Sequence, residues 1–216
     1  MPAMKSTSKT DWNAGRKSGI TATSDPKRQF KNALMALETS RSIPLMSLIR
    51  LLDAEAPGLS ELRMRELLKE VFITNQEVEQ HGCFRDDRYS RNSIFRNEKF
   101  EILLICWKSG QRSLIHDHGR SLGGVKIVRG LLTETLFALA PNRMIKAVSS
   151  TDYQISDIQI EEPSTIHQVA NLQPGANHAI SLHVYTPPLQ QMNIYTLYDM
   201  DLRSVPAQLY NFGLGI

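Results

Sequence analysis

Residues 110–130 have the sequence GQRSLIHDHGRSLGGVKIVRG, and the histidines at its centre, His116 and His118, indicate both the fold and the chemistry. Residues two apart in a β-strand point to the same face, so these imidazoles would lie side by side. Two imidazoles on an inward face are costly to bury unless a metal ion or hydrogen bonds satisfy them. The pair therefore indicates a divalent metal site or, as the alternative, two surface or hydrogen-bonded histidines.

Around this stretch, the chain from residue 84 onward has the pattern of short strands joined by turns. Runs rich in apolar and β-branched residues follow one another without intervening helices, and Gly110 and Gly130 mark turns. The runs lie at 102–106, 125–128, 131–136, 155–160 and 179–185. The pattern predicts a mainly β protein, an antiparallel sandwich or barrel, over residues 84–216.

The preceding part of the chain, residues 29–80, has helical spacing of its apolar residues. Three helices are predicted: one around 30–37, one that begins at Pro44, and one over 59–72 that Ser60 caps. The third helix would bury a stripe made of Leu62, Leu67, Leu68, Val71 and Phe72. We expect these helices to pack against the strand-rich remainder.

Charge and composition exclude several classes of protein. Residues 1–28 hold six basic and two acidic side chains and few large apolar ones, which predicts a flexible or disordered basic tail before a single domain over 29–216. The remainder has no basic block for nucleic acid and no apolar run near the length of a membrane span. Two cysteines form no disulfide framework, so we expect a cytoplasmic protein. We also expect a monomer or weak homo-oligomer.

The spacing of glycines and histidines resembles the paired motif of the cupin superfamily. The matching residues are Gly110, His116, His118, Gly130, His167 and Asn171. The resemblance implies a cupin-type β-barrel (jelly-roll) with an N-terminal helical segment. A concave barrel face can bring His167 opposite the first pair, so that His116, His118 and His167 hold a metal ion. The glutamate of the motif falls at Gly123, which leaves three histidines and no acid.

A second resemblance is more specific. The segments YSRNSIFRNEKFEILLICW (89–107), SLIHDH (113–118), VRGLLTETLF (128–137) and AISLHVYTPP (179–188) are similar to the cysteine dioxygenase family, over roughly residues 45–200. The resemblance implies a mononuclear Fe(II) site on the three histidines. It also implies a small-molecule thiol and O2 as reactants, with L-cysteine oxidised to cysteine sulfinic acid, as in cysteine catabolism and taurine and sulfinate metabolism.

Ser181, His183 and Tyr185 are two residues apart on one predicted strand and therefore share a face. They can form a hydrogen-bonded chain of hydroxyl, imidazole and phenol, although a partly buried polar ladder without a function has the same spacing. The family resemblance implies that the three are catalytic residues beside the iron, with Tyr185 near the bound thiol and oxygen.

Arg91 and Tyr89 are the candidate substrate-binding residues, together with Tyr185. A guanidinium presents a planar fork to a carboxylate, and Tyr89 can add a hydrogen bond. Only the family resemblance selects Arg91 from its neighbours Arg85, Arg88 and Arg96. Related enzymes that act on 3-mercaptopropionate typically carry glutamine at this place, so Arg91 favours L-cysteine.

Gly123 also bears on covalent modification. Animal members of the resembled family carry at this position a cysteine that is linked to the tyrosine matching Tyr185. Gly123 cannot form such a thioether, so we expect an unmodified phenol at Tyr185.

Three alternatives stay open from the sequence. The preferred substrate could be 3-mercaptopropionate or another thiol acid. The chain could be a non-catalytic metal-binding cupin that acts as a sensor. It could also be a zinc or nickel cupin with isomerase or hydrolase activity, because three histidines also form a good catalytic zinc site.

Overall fold

The structure is a computed structural model that describes residues 42–207. The basic tail predicted over 1–28 and the helix predicted around 30–37 lie outside the described residues.

Strands account for most of the regular structure, as predicted. The described residues contain three helices, all in the first part of that range: α1 (Leu45–Glu55), α2 (Glu61–Glu70) and α3 (Asn75–His81). The strands are β1 (Ile43–Pro44), β2 (Val71–Phe72), β3 (Ser90–Arg96), β4 (Glu101–Trp107), β5 (Ile115–His116), β6 (Leu122–Arg129), β7 (Leu131–Leu139), β8 (Ile145–Gln154), β9 (Ile158–Glu161), β10 (Ile166–Ala170), β11 (Ala179–Thr186), β12 (Gln191–Tyr195) and β13 (Arg203–Pro206). Within residues 42–207, no helix has the length and apolar character needed to cross a membrane.

Two antiparallel sheets form the body of the protein. One has five strands in the order β3-β4-β11-β6-β9, and the other has six in the order β13-β12-β5-β10-β7-β8. Among the described strands of these two sheets, only β3–β4, β7–β8 and β12–β13 are both consecutive in sequence and adjacent in a sheet, and the other neighbours are farther apart in sequence, as in a jelly-roll rather than a simple meander. The predicted antiparallel sandwich or barrel is confirmed. One predicted run, 155–160, begins too early, because residues 155–157 form the turn between β8 and β9.

The continuous apolar run of β4 reflects burial on both faces of the five-stranded sheet. Leu104 and Cys106 belong to a cluster that includes the buried side of α1 and α2, whereas Ile105 and Trp107 belong to a second cluster on the other face. Tyr185 of β11 lies in that second cluster. The helices therefore cover one face of this sheet, which leaves the other face for the candidate site.

The two described helices that the sequence predicted are confirmed, with two corrections. The α1 helix begins after Pro44, and Ser60 Oγ caps α2 by accepting a hydrogen bond from Arg63 N. Leu62 and Phe72 are exposed rather than buried, because Met64, Leu67 and Leu68 form the inward side of α2. The chain leaves the helix after Glu70, and Val71–Phe72 pair with Ile43–Pro44 as a short parallel ribbon.

Gly124 permits close packing of α2 on the sheet. A Cβ atom at this position would lie 2.6 Å from Leu68 Cδ1 and 2.7 Å from Met64 Cγ. Any side chain here would therefore push the helix away from β6, and the hydrophobic contact between helix and sheet depends on this glycine.

Candidate metal centre and active site

The structure brings His116, His118 and His167 together. His116 is the last residue of β5 and is the direct antiparallel partner of His167 on β10, while His118 follows β5 two residues later. One ring nitrogen from each histidine lies within 4.8 Å of those of the other two. All three side chains are buried, so the sequence-predicted ligand set forms one enclosed cluster.

Contacts outside the cluster fix which nitrogen two of these rings present. The carbonyl oxygen of Leu114 lies 2.9 Å from His116 Nδ1, and Glu134 Oε1 lies 2.7 Å from His167 Nδ1. Both Nδ1 atoms therefore carry the proton, which leaves the Nε2 lone pairs for a ligand. Burial lowers the pKa of His116 to about 3 and that of His118 well below its usual value, so both rings are neutral.

Two buried carboxylates lie against the histidines, and the expectation of a site without acids is wrong. Glu134 on β7 accepts the His167 hydrogen bond and one from Gln159 Nε2 at 2.5 Å. Glu161, at the end of β9, places Oε2 3.1 Å from His118 Nε2 and Oε1 3.4 Å from His167 Nδ1. Burial raises the pKa of the Glu161 carboxyl to about 7.

The pKa of His167 shows the influence of both acids. Burial opposes its protonation, but the nearby Glu161 and the hydrogen bond to Glu134 outweigh burial and raise its pKa. Glu134 could have been noticed from its alternation with Leu132, which is buried on the same strand. Glu161 offers no such local signal.

Asp117 points away from the metal cluster and anchors the chain that carries it. Its carboxylate accepts hydrogen bonds from Gly119 N, from Asn193 N and Nδ2, and from the Tyr195 hydroxyl, at 2.8–3.1 Å. These contacts fix the peptide between the two histidines to β12, so that His116 and His118 are held from the other side.

Ser181, His183 and Tyr185 form the predicted chain of hydrogen bonds on β11. Ser181 Oγ lies 2.8 Å from His183 Nε2, and His183 Nδ1 lies 3.1 Å from the Tyr185 hydroxyl. All three residues are buried. Burial keeps the pKa of His183 well below its usual value and that of Tyr185 well above, so the imidazole and the phenol are both neutral.

Arg91 is buried beside Tyr185. Its guanidinium carbon lies 5.9 Å from the centre of the Tyr185 ring, and its side chain is buried. The other three arginines form ion pairs: Arg85 and Arg88 with Asp87, and Arg96 with Glu101. Of these four arginines, Arg91 is the one that lines the pocket with Tyr185.

A small pocket joins these groups. Its walls are Tyr89, Arg91, Ile105, Trp107, Ser113, His116, His167, Val169, His183 and Tyr185. Tyr89 stacks on Trp107 with ring centres 4.4 Å apart. Apolar side chains surround one cation, two phenols and the imidazoles of His116, His167 and His183, which is the arrangement of a site for a small polar molecule.

Gly123 lies next to the Tyr185 ring, as expected from the sequence. A Cβ atom at position 123 would lie 3.2 Å from Tyr185 Cε1. Of the two cysteines, Cys83 is exposed, and Cys106 belongs to the hydrophobic cluster on the helix side of the sheet. This placement supports an unmodified phenol at Tyr185.

Fold and site together define a cupin-type protein with a buried cluster of three histidines that could hold a metal ion. A sequence model of the family described as "Cysteine dioxygenase type I" matches residues 52–197. Cysteine dioxygenase type 1 of Homo sapiens is 30% identical over 158 residues, which cover 70% of this chain and 78% of the relative. The Rattus norvegicus protein of the same name is 32% identical over the same shares. The chain belongs to the cysteine dioxygenase type I family, and it is an oxygenase enzyme.

Among solved structures, the chain is similar to a Klebsiella pneumoniae protein with a double-stranded β-helix domain. The two share 15% sequence identity with a TM-score of 0.45, and the match covers 58% of this chain and 96% of the other.

Proposed function

We propose that the enzyme is a thiol dioxygenase that oxidises L-cysteine with O2 to cysteine sulfinic acid at an Fe(II) ion held by His116, His118 and His167. In this reaction the thiol R–SH and O2 give R–SO2H, so sulfur is oxidised and both oxygen atoms are transferred to it. The observation that carries the proposal is the cluster of three imidazoles, two of which, those of His116 and His167, line the same pocket as Arg91 and Tyr185.

The residues present fit such an ion. Within residues 42–207, His167 Nε2 and both nitrogens of His118 are buried without a hydrogen-bond partner, and His116 offers a lone pair at Nε2. A bound divalent metal would satisfy one nitrogen of each imidazole and would supply the thiol acidification and the O2 chemistry.

Arg91 orients the substrate by its charge. A guanidinium at the wall of a closed pocket pairs with the substrate carboxylate through two parallel hydrogen bonds. Tyr89, which stacks on Trp107 at the same wall, adds a hydroxyl near the same place. With the carboxylate held there, the thiol end of cysteine is directed toward the histidine cluster. The binding energy thus offsets the entropic cost of orienting the substrate.

Tyr185 serves as a neutral hydrogen-bond donor to the reacting groups. Its hydroxyl accepts from His183 Nδ1, so its own proton is available to the pocket. The apolar walls, including Ile105 and Val169, exclude water and strengthen this hydrogen bond.

Alternative functions differ in what they require of Arg91 and of the metal. A 3-mercaptopropionate dioxygenase would keep the same chemistry with a substrate that lacks the amino group. A non-catalytic cupin sensor would bind metal and thiol without turnover. The cytoplasmic location and the monomer or weak homo-oligomer state stay predictions.

To test the proposal, the protein is loaded with Fe(II) under anaerobic conditions, 18O2 is added, and O2 uptake is measured. L-cysteine and 3-mercaptopropionate are compared at equal concentration, and the masses of the products are measured by mass spectrometry. Cysteine sulfinate with two 18O atoms, formed much faster than the other sulfinate, is the expected result. His116→Ala should lose iron and turnover, whereas His81→Ala, on α3, serves as a matched control and should keep both.

Other outcomes would overturn the proposal in defined ways. Faster uptake with 3-mercaptopropionate would replace the substrate, and bound iron without uptake of O2 would favour the sensor. Zinc or nickel in protein purified without added metal, together with no iron-dependent turnover, would favour the isomerase or hydrolase.

A further inference from the structure

Gly123, Glu161 and Tyr185 form one row across three strands of the five-stranded sheet. In the register of the sheet, Gly123 on β6 is the partner of Glu161 on β9 on one side and of Tyr185 on β11 on the other. Directly opposed residues in antiparallel strands point to the same face. The carboxylate of Glu161 therefore projects over the bare backbone of Gly123 into the interior that holds the histidines.

The glycine is what makes room for this carboxylate. A Cβ atom at position 123 would lie 3.0 Å from Glu161 Oε2 and 3.2 Å from Glu161 Cβ. Both distances are shorter than ordinary van der Waals contact. Gly123 and Glu161 thus form a matched pair: Gly123 has no side chain, and the space this leaves is occupied by the Glu161 side chain from the neighbouring strand.

The Glu161 carboxylate lies against two imidazoles but is not hydrogen-bonded to them. The residue is 2% exposed, and within residues 42–207 neither of its oxygens makes a hydrogen bond. Its nearest polar neighbours are His118 Nε2 at 3.1 Å and His167 Nδ1 at 3.4 Å. Burial of a carboxylate without hydrogen bonds is strongly unfavourable unless a cation compensates it.

We propose that Glu161 is the carboxylate partner of the metal centre. From β9 it supplies the negative charge that a glutamate at position 123 would otherwise bring, and it increases the affinity of the three-histidine site for a divalent cation. Because the carboxylate lies against two of the three imidazoles, it also holds those rings in place. This inference rests on the metal centre of the proposed function, but not on the identity of the thiol.

The first test compares metal affinity in Glu161→Gln and Glu162→Gln. Glutamine keeps the shape of the side chain and removes the charge, and Glu162 is the exposed neighbour that serves as the matched control. Co(II) and Zn(II) are titrated into metal-free protein in competition with a coloured chelator, and circular dichroism verifies the fold. We expect E161Q to bind both metals about 10–100-fold more weakly, with a shifted Co(II) visible spectrum, and E162Q to match the wild type. Equal affinity and an unchanged spectrum in E161Q would overturn the proposal.

The second test moves the carboxylate from position 161 on β9 to position 123 on β6. It does not depend on the stability of E161Q. The double variants G123E/E161G and G123Q/E161G differ only in one charge at position 123. We expect the glutamate variant to bind Co(II) at least about 10-fold more tightly than the glutamine variant. We also expect G123E alone to bind worse than the double variant, because its side chain meets Glu161. Equal Co(II) binding by the two double variants would contradict the proposed role of the charge.

These measurements use no thiol and therefore separate this inference from the proposed function. If E161Q loses metal affinity while the wild type fails to oxidise any thiol, the carboxylate partner stands and the dioxygenase proposal falls. If cysteine is oxidised and E161Q binds metal like the wild type, only the role of Glu161 is overturned.

Discussion

Trp107 Nε1 donates a hydrogen bond to Ser181 Oγ over 3.0 Å, and this contact orders the protons of the chain that ends at Tyr185. An indole N–H can only donate, so the Ser181 oxygen accepts; within residues 42–207 the buried serine hydroxyl has only His183 Nε2 as an acceptor for its own proton. A neutral His183 then carries its proton on Nδ1 and donates it to the Tyr185 oxygen. The tyrosine proton is thereby left to point at the pocket.

Replacement of Trp107 by phenylalanine should therefore reduce turnover, because it removes the hydrogen bond that orders this chain. Loss of one buried hydrogen bond of this kind corresponds to about 0.5–1.5 kcal/mol, or about 2–10-fold in kcat. Ser181→Ala should cause a similar loss. Because both act through His183, the double variant should be no worse than S181A alone. Multiplied losses in kcat would contradict the ordered chain.

Glu134 should act as a positioning residue for His167. Its carboxylate fixes the Nδ1 proton of that ring from β7, so Glu134→Gln should weaken Fe(II) binding by about 10–100-fold. The measurement is an Fe(II) titration with a competing chelator, with Glu162→Gln as the control. Unchanged affinity would mean that packing alone orients His167.

Arg91 should matter only for thiols that carry a carboxylate. For L-cysteine, Arg91→Ala should raise KM by about 10–100-fold, because a charge-assisted hydrogen bond to a buried group contributes about 1.5–3 kcal/mol. Cysteamine lacks the carboxylate and should react equally slowly with wild type and variant. Arg88→Ala is the matched control, since Arg88 pairs with Asp87. Equal loss with both thiols would assign Arg91 to the fold rather than to recognition.

The residues that sequence could predict are those whose geometry is local. The same-face placement of His116 and His118, and of Ser181 and Tyr185, needs only the two-residue period of a strand. Family resemblance was needed to add His167 and Arg91, because their distance from the first pair depends on how strands pair.

The carboxylates show what local patterns cannot provide. Glu161 reaches His118 only because β9 pairs with β6 in the register that sets it opposite Gly123, and strand register is a long-range property. For the same reason β8 escaped prediction: most of its residues are exposed and polar, and its strand structure comes from pairing with β7. The expected stripe on α2 is right for Leu67, Leu68 and Val71 and wrong for Leu62 and Phe72, which are exposed. Phe72 is exposed where the chain leaves the helix and Val71–Phe72 pair with Ile43–Pro44.

Two leucines of α2 offer a direct test of that corrected helix face. Leu68 is fully buried between the helix and the sheet, whereas Leu62 is 76% exposed. Leu68→Ala should lower the free energy of unfolding by about 2–5 kcal/mol, because it removes buried methyl groups and leaves a cavity beside Gly124. Leu62→Ala should change it by less than about 0.5 kcal/mol, the usual range for a surface substitution. Urea unfolding of metal-free protein measures both, since bound metal would add its own stabilisation. Similar losses in the two variants would restore the predicted stripe and would place both leucines in the core.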